Sequence, residues 1–279
     1  MVKTTSIAAL LTAAFALSAL AAPPVEIPFH FTDGFISIEA RVPQSAEPLN
    51  LLLDSGASAS VLDLRAAQRL HLPFGKTESV RGVGVDAAAY HLRGVQATAN
   101  GLPLAEIQLA VDLRSADDLC SRPVDGLIGV EFFKNRVVQI DYTHRQLRII
   151  SSSPAPGSER LPIKLLNGIM CVPVGVNDST ARWTRLDTGC NDALHWVIPR
   201  QGNHTDHGAV SIGFVTDPND STLTTVSLGS HALNPVETIL HGHPLFPGEA
   251  GLLGNGVLSQ FTVTVDWPHR QVLLEDAPR

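Results

Sequence analysis

Two stretches decide how this chain is read: Leu51-Leu52-Leu53-Asp54-Ser55-Gly56, and the run from Trp183 through Leu186 into Asp187-Thr188-Gly189. Each is an Asp-Ser/Thr-Gly triplet entered from apolar sequence. A carboxylate at the end of a buried strand is costly, and packing alone does not require it. Taken singly, either triplet reads as an ordinary Asp at a strand-to-turn junction that accepts local backbone hydrogen bonds. A second landmark repeats with them. Gly126-Leu127-Ile128-Gly129 follows the first triplet and Gly251-Leu252-Leu253-Gly254 the second, and the next Asp lies 141 − 129 = 12 and 266 − 254 = 12 positions further on. There Asp141-Tyr142-Thr143-His144-Arg145-Gln146-Leu147 aligns with Asp266-Trp267-Pro268-His269-Arg270-Gln271-Val272. Triplet to landmark is 129 − 54 = 75 residues in one half and 254 − 187 = 67 in the other. The halves therefore differ mainly in loop length, as an internal duplication should.

On these residues the chain resembles the two-lobed aspartic peptidases of the pepsin and retropepsin superfamily, in the style of the compact bacterial retropepsin-like proteins, over roughly residues 26 to 275. The resemblance implies an all-β fold of two pseudo-symmetric β-barrel lobes, with a few short helices and a cleft between the lobes. It implies that Asp54 and Asp187 are catalytic. Ser55 and Thr188 would then hydrogen-bond across the lobe interface, and Gly56 and Gly189 would let backbone N–H groups approach the carboxylates where a β-carbon would intrude. Ala57 and Cys190, next in line, would face the cleft. Amide hydrolysis without a metal needs a nucleophile made from water. Two carboxyls sharing one proton supply both functions, because the ionised member takes a proton from the water while the protonated one hydrogen-bonds the scissile carbonyl. The substrate implied is a polypeptide bound in extended form. No cofactor and no metal are expected. A module of the same fold that binds peptides without cutting them is the alternative.

The N-terminus reads as an export signal over residues 1–21. Lys3 supplies a positive start, Ile7 to Leu20 is apolar, and Ala19-Leu20-Ala21 has the small-x-small form of a cleavage site. The expected location is secreted or periplasmic, with an uncleaved anchor as the alternative and with too little chain before the first strand for a long inhibitory prosegment. One lobe is expected over 24–150 and the other over 159–279, joined by a linker at 151–158 rich in Ser and Pro. Strands are expected at Phe35–Val42, Asn50–Asp54, Ile169–Val176 and Trp183–Asp187. The spacing of Leu62, Ala66 and Leu70 predicts a helix over Val61–Leu70, and helical turns are expected at Val130–Lys134 and Val257–Phe261. A formal charge of −7 argues against nucleic acid or an anionic membrane as partner. The apolar segment near the N-terminus is too short for a comfortable membrane span. A monomer is expected, because both triplets are in one chain.

Departures from the family pattern are equally visible. Pepsin-like enzymes carry a tyrosine on a hairpin over the cleft; here Val80-Arg81-Gly82-Val83-Gly84-Val85 is a glycine-bearing hairpin candidate, with Gly82, Gly84 and Tyr90 as flap residues or a plain surface turn as the alternative. Gly208–Pro218 is the corresponding candidate in the second half. Cys190 stands where a small Ala or Ser is usual. It reads as a free thiol lining the cleft, as a partner of Cys171 with Cys120 left over, or as a catalytic cysteine. The close pairs His204/His207 and His241/His243 have chelating spacings but sit in loops, where solvated histidines are the expectation. The His-Arg-Gln segments are expected to be structural. Asn177, Asn203 and Asn219 head Asn-x-Ser/Thr sequons.

Overall fold

The computed structural model describes residues 25–81, 86–151, 157–198 and 221–277. The export segment with its cleavage site near Ala21, most of the linker, Gly82, Gly84, the Gly208–Pro218 loop and the His204/His207 pair lie outside the described residues.

Among the described residues strands dominate, arranged in three sheets, and the helices are single turns or little more. In the first half an eight-stranded sheet runs in the order His30–Thr32, Phe35–Ala40, Leu49–Leu53, Gly126–Ile128, Val61–Asp63, Leu102–Val111, Asp86–Ala99, Thr77–Arg81. In the second half a seven-stranded sheet runs Lys164–Leu166, Ile169–Val176, Arg182–Leu186, Gly251–Leu253, Leu194–Val197, His231–His241, Ser221–Leu228. Each sheet has the same centre. Leu49–Leu53 lies parallel to Gly126–Ile128, and Arg182–Leu186 lies parallel to Gly251–Leu253. Leu49–Leu53 is buried throughout, which is why it reads as unbroken apolar sequence rather than as an alternation. Asp54 and Asp187 emerge at the ends of these strands, held by Asp54 N–H to Ile128 C=O at 2.8 Å and Asp187 N–H to Leu253 C=O at 3.0 Å. The repeated Gly-apolar-apolar-Gly landmark is thus the strand that supports each triplet.

The expected helix over Val61–Leu70 is half strand. Val61–Asp63 pairs with Leu102–Val111 on one side and Gly126–Ile128 on the other, and the helix starts only at Leu64. Asp63 caps it, its Oδ1 accepting from Arg65 N–H at 3.0 Å. Leu62 and Ala66 are both buried, so the apolar spacing matched burial without requiring one continuous helix. The turn expected at Val257–Phe261 likewise comes earlier, at Asn255–Leu258, and Phe261 already opens the strand Phe261–Asp266.

A six-stranded sheet joins the halves in the order Val25–Pro28, Gln146–Ile150, Val137–Asp141, Phe261–Asp266, Gln271–Asp276, Glu159–Pro162. The order is a palindrome. Its central antiparallel pair sets Gln139 opposite Thr264, and 264 − 139 = 125 is also the separation of the landmark glycines, 254 − 129 = 125. Gln139 and Thr264 alone in this pair of strands face their own counterparts, which places the pseudo-twofold axis there. Val138, Ile140, Val263 and Val265 are buried beside it. The two His-Arg-Gln segments form the turns of this sheet, with His144 Nδ1 2.8 Å from Asp141 Oδ2 and His269 Nδ1 2.8 Å from Asp266 Oδ2. Their role is structural, as expected.

Candidate active site

The two triplets meet across the halves through reciprocal bonds. Ser55 N–H donates to Thr188 Oγ1 at 2.9 Å, and Thr188 N–H donates to Ser55 Oγ at 3.0 Å. Each hydroxyl then donates onward to the strand that leads into the opposite triplet: Ser55 Oγ to Leu186 C=O at 2.7 Å and Thr188 Oγ1 to Leu53 C=O at 2.8 Å. All four groups are buried, so each bond also removes a desolvated orphan. This arrangement crosses the carboxyls over. A β-carbon on Gly56 would stand 2.5 Å from both oxygens of Asp187, and one on Gly189 would stand 2.5 Å from Asp54 Oδ1 and 2.7 Å from Oδ2. Neither glycine has the positive φ that would demand it for backbone reasons. The missing side chain is needed for the carboxyl of the other half.

Local N–H groups orient each carboxyl. Asp54 Oδ1 accepts from Gly56 N–H at 2.9 Å and Ala57 N–H at 2.8 Å, and Asp187 Oδ1 accepts from Gly189 N–H at 3.0 Å. Burial pushes both carboxyls above the usual range, and for Asp54 the nearby Asp187 charge pushes further. The N–H donors and the Arg185 guanidinium pull the other way, as does His195 at Asp187. Two buried carboxyls this close cannot both ionise cheaply, so over a range of pH the pair holds one proton in common.

Residues 38–132 match the aspartyl protease family. No curated protein matches the sequence. The crystal structure of an aspartic proteinase from Irpex lacteus superimposes with a TM-score of 0.56 at 11% identity, covering 91% of this chain and 98% of that one. The first half is therefore similar to the aspartyl protease family, and the chain as a whole shares the fold of that aspartic proteinase.

Within this aspartic-peptidase fold several residues sit differently from the expectation. Ala57, expected to line the cleft, is buried and acts through its backbone, donating to Asp54 and accepting from Val130 N–H at 2.9 Å. Cys190 is buried as well, and its N–H reaches Asp187 C=O at 3.3 Å. All three cysteines are free, so the Cys171–Cys190 bridge is not formed. Burial drives the Cys190 thiol well above its ordinary value, with Asp187 adding to the effect, and pushes Cys171 up to about 12. A thiol held protonated in this way lacks the nucleophilic form, which disfavours the catalytic-cysteine reading. The hairpin expected at Val80–Val85 is present as Thr77–Arg81 paired with Asp86–Ala99. Tyr90 lies toward its base opposite Thr77, its ring edge-on to Phe74 at 5.7 Å. His241 is not a solvated loop histidine: it ends the strand His231–His241 and stacks on His195.

Two contributors escaped the sequence reading. Arg185 is almost wholly buried, pairs with Glu249 and donates through Nη1 to Gly56 C=O at 2.8 Å, across the interface. Asn255 is fully buried. Its Nδ2 donates to Thr188 C=O and Gly34 C=O, both at 2.8 Å, and its Oδ1 accepts from Tyr142 O–H at 2.8 Å. Neither carries a local sequence signal: Arg185 follows the polar Thr184 within its strand, and Asn255 opens a short helix directly after the second landmark.

Proposed function

We propose that the chain is an aspartic endopeptidase in which Asp54 and Asp187 activate one water against a peptide bond. The observation that carries this reading is the crossing of glycines and carboxyls, with Gly56 against Asp187 and Gly189 against Asp54. A buried carboxyl pair enforced by four reciprocal residues, Ser55 with Thr188 and Gly56 with Gly189, is costly, and apolar side chains would close the same space without that cost. The ionised carboxyl removes a proton from water as its oxygen bonds the carbonyl carbon. The protonated carboxyl donates to the carbonyl oxygen. When the C–N bond breaks, the leaving nitrogen takes a proton from the dyad and the carbonyl reforms. The substrate lies extended in the cleft between lobes at 24–150 and 159–279. The chain works as an exported monomer after removal of residues 1–21. Among the described residues no helix is long and apolar enough to cross a membrane.

Incubation of the purified protein with a diverse quenched-fluorescence peptide library from acid to neutral pH, with and without a statine-type inhibitor, tests the reading. Inhibitor-sensitive cleavage is expected, reduced at least about 10²–10⁴-fold by Asp54→Asn or Asp187→Asn. Cleavage at the parental rate in either variant would falsify the mechanism. Peptide binding without cleavage in the parent would identify the non-catalytic module instead.

A further inference from the structure

Three donor atoms of metal-binding type converge in the second half. Cys190 Sγ, a carboxylate oxygen of Asp192 and a ring nitrogen of His195 all lie within 4.8 Å of one another. His195 is fully buried and Cys190 nearly so, whereas the Asp192 side chain is 41% exposed. The donors thus form a closed floor with one lip open to solvent. Tetrahedral zinc, with bonds of about 2.0–2.3 Å, sets its ligand atoms roughly 3–4 Å apart, so only a small closing movement separates these atoms from that geometry. Gly254 keeps the space clear, since a β-carbon there would stand 2.9 Å from Cys190 Sγ.

The corresponding positions of the first half show that the barrel does not need these donors. Ala57 stands at the place of Cys190, because Val130 N–H bonds Ala57 C=O as Asn255 N–H bonds Cys190 C=O. Val61 stands at the place of His195, because it pairs with Leu127 as His195 pairs with Leu252. The same fold closes there on apolar side chains. Within the cluster His195 Nε2 lies 2.9 Å from Asp192 Oδ2, and from outside it Nδ1 lies 2.9 Å from His241 Nε2 with the two rings stacked at 5.2 Å. An outer partner on the second ring nitrogen is the arrangement that aims a ligating imidazole.

We propose that Cys190, Asp192 and His195 bind one zinc-like divalent cation, with water in the fourth position and His241 holding His195 from outside. The mix of thiolate, imidazole and carboxylate favours zinc over calcium or magnesium. On binding, the Cys190 thiol proton leaves to solvent and the ion takes its place on sulfur. His195 Nε2 turns its lone pair to the ion, and Nδ1–H donates to His241 Nε2. The site stands apart from the peptidase reading and is tested without substrate.

Metal-free purified protein is titrated with Zn²⁺ in competition with a chromophoric chelator, and separately with Co²⁺ while the absorption spectrum is followed. One equivalent is expected to bind, with a thiolate-to-cobalt charge-transfer band. Cys190→Ser abolishes that band, and Cys190→Ser, His195→Gln and Asp192→Asn each weaken zinc at least about tenfold, the scale on which even outer partners act. Asp192→Asn changes only the open lip, so it remains informative if a buried variant fails to fold. Absence of stoichiometric binding by the parent, or binding unchanged in Asp192→Asn, overturns the proposal.

Discussion

Arg185 and Glu249 form a buried ion pair at the two places where the first half buries Leu52 and Val124. The correspondence follows from the triplets, 185 − 133 = 52 with 133 = 187 − 54, and from the landmarks, 249 − 125 = 124. Strand pairing agrees with it: Arg185 lies opposite Leu252 as Leu52 lies opposite Leu127. The pair is bidentate, Nε to Oε2 at 2.7 Å and Nη2 to Oε1 at 2.8 Å, and the guanidinium lies 3.4 Å from the ring centre of Phe246. Removing one member of such a pair leaves a buried charge and costs about 3–5 kcal/mol, whereas replacing both with packed apolar groups is often tolerated. Arg185→Leu alone is therefore expected to lose about 3–5 kcal/mol in denaturant unfolding. Arg185→Leu with Glu249→Val, the first half's own solution, should recover most of that loss, less the roughly 1–3 kcal/mol of an orphaned Gly56 carbonyl. A double variant as unstable as the single one would refute this account.

The same double variant tests electrostatic control of the dyad. Arg185 holds both carboxyls lower than burial alone would, while Glu249 works weakly against it at Asp187. Removing the pair raises the dyad, so under the proposed mechanism the ionised carboxyl that would accept a proton from water forms only at higher pH. The acid limb of kcat/KM should move upward in pH; an unmoved limb would reduce Arg185 to a packing role.

Stability should depend on pH through Asp54. Its folded value is raised above the ordinary one of about 3.9, so the native state holds a proton that the unfolded chain has lost. Stability is then complete below the unfolded value and declines as pH rises through the folded one. Asp54→Asn removes the ionisable group while keeping its shape. The variant should melt higher than the parent at neutral pH, with the difference shrinking toward pH 3, and calorimetry across that range checks the trend.

Gly189→Ala places a methyl group on the Asp54 carboxyl, and overpacking of this kind costs about 1–3 kcal/mol. In an Asp54→Ala background the obstructing group is gone and the penalty should vanish. A double-mutant cycle measures the coupling, and purely additive losses would mean that the glycine is required for some other reason.

Much of this architecture was legible because a duplicated chain states its case twice. Asp54 and Asp187 could be paired from sequence because each precedes the same Gly-apolar-apolar-Gly strand, and Ser55 and Thr188 followed from adjacency. Arg185, Glu249 and Asn255 were not legible. Their partners lie 64 to 221 residues away in sequence, and nothing local announces a buried guanidinium. The strand Val61–Asp63 was misread for a related reason: three residues are too few to show a period, and the helix beyond supplied one. Cys190, Asp192 and His195 were close in sequence yet unpaired in the reading, since a turn rather than a helix gathers them and turns leave no spacing rule.

The palindromic sheet also dictates when the molecule can be completed. Leu186, which leads into Asp187, rests on Gly251–Leu253, and Val137–Asp141 keeps an open edge until Phe261–Asp266 arrives. Both supports come later in the sequence than Asp187 itself. A chain cut short or still growing before Phe261–Asp266 therefore presents a sticky unpaired strand instead of a joined molecule, and the two carboxyls are secured only after that segment has been made.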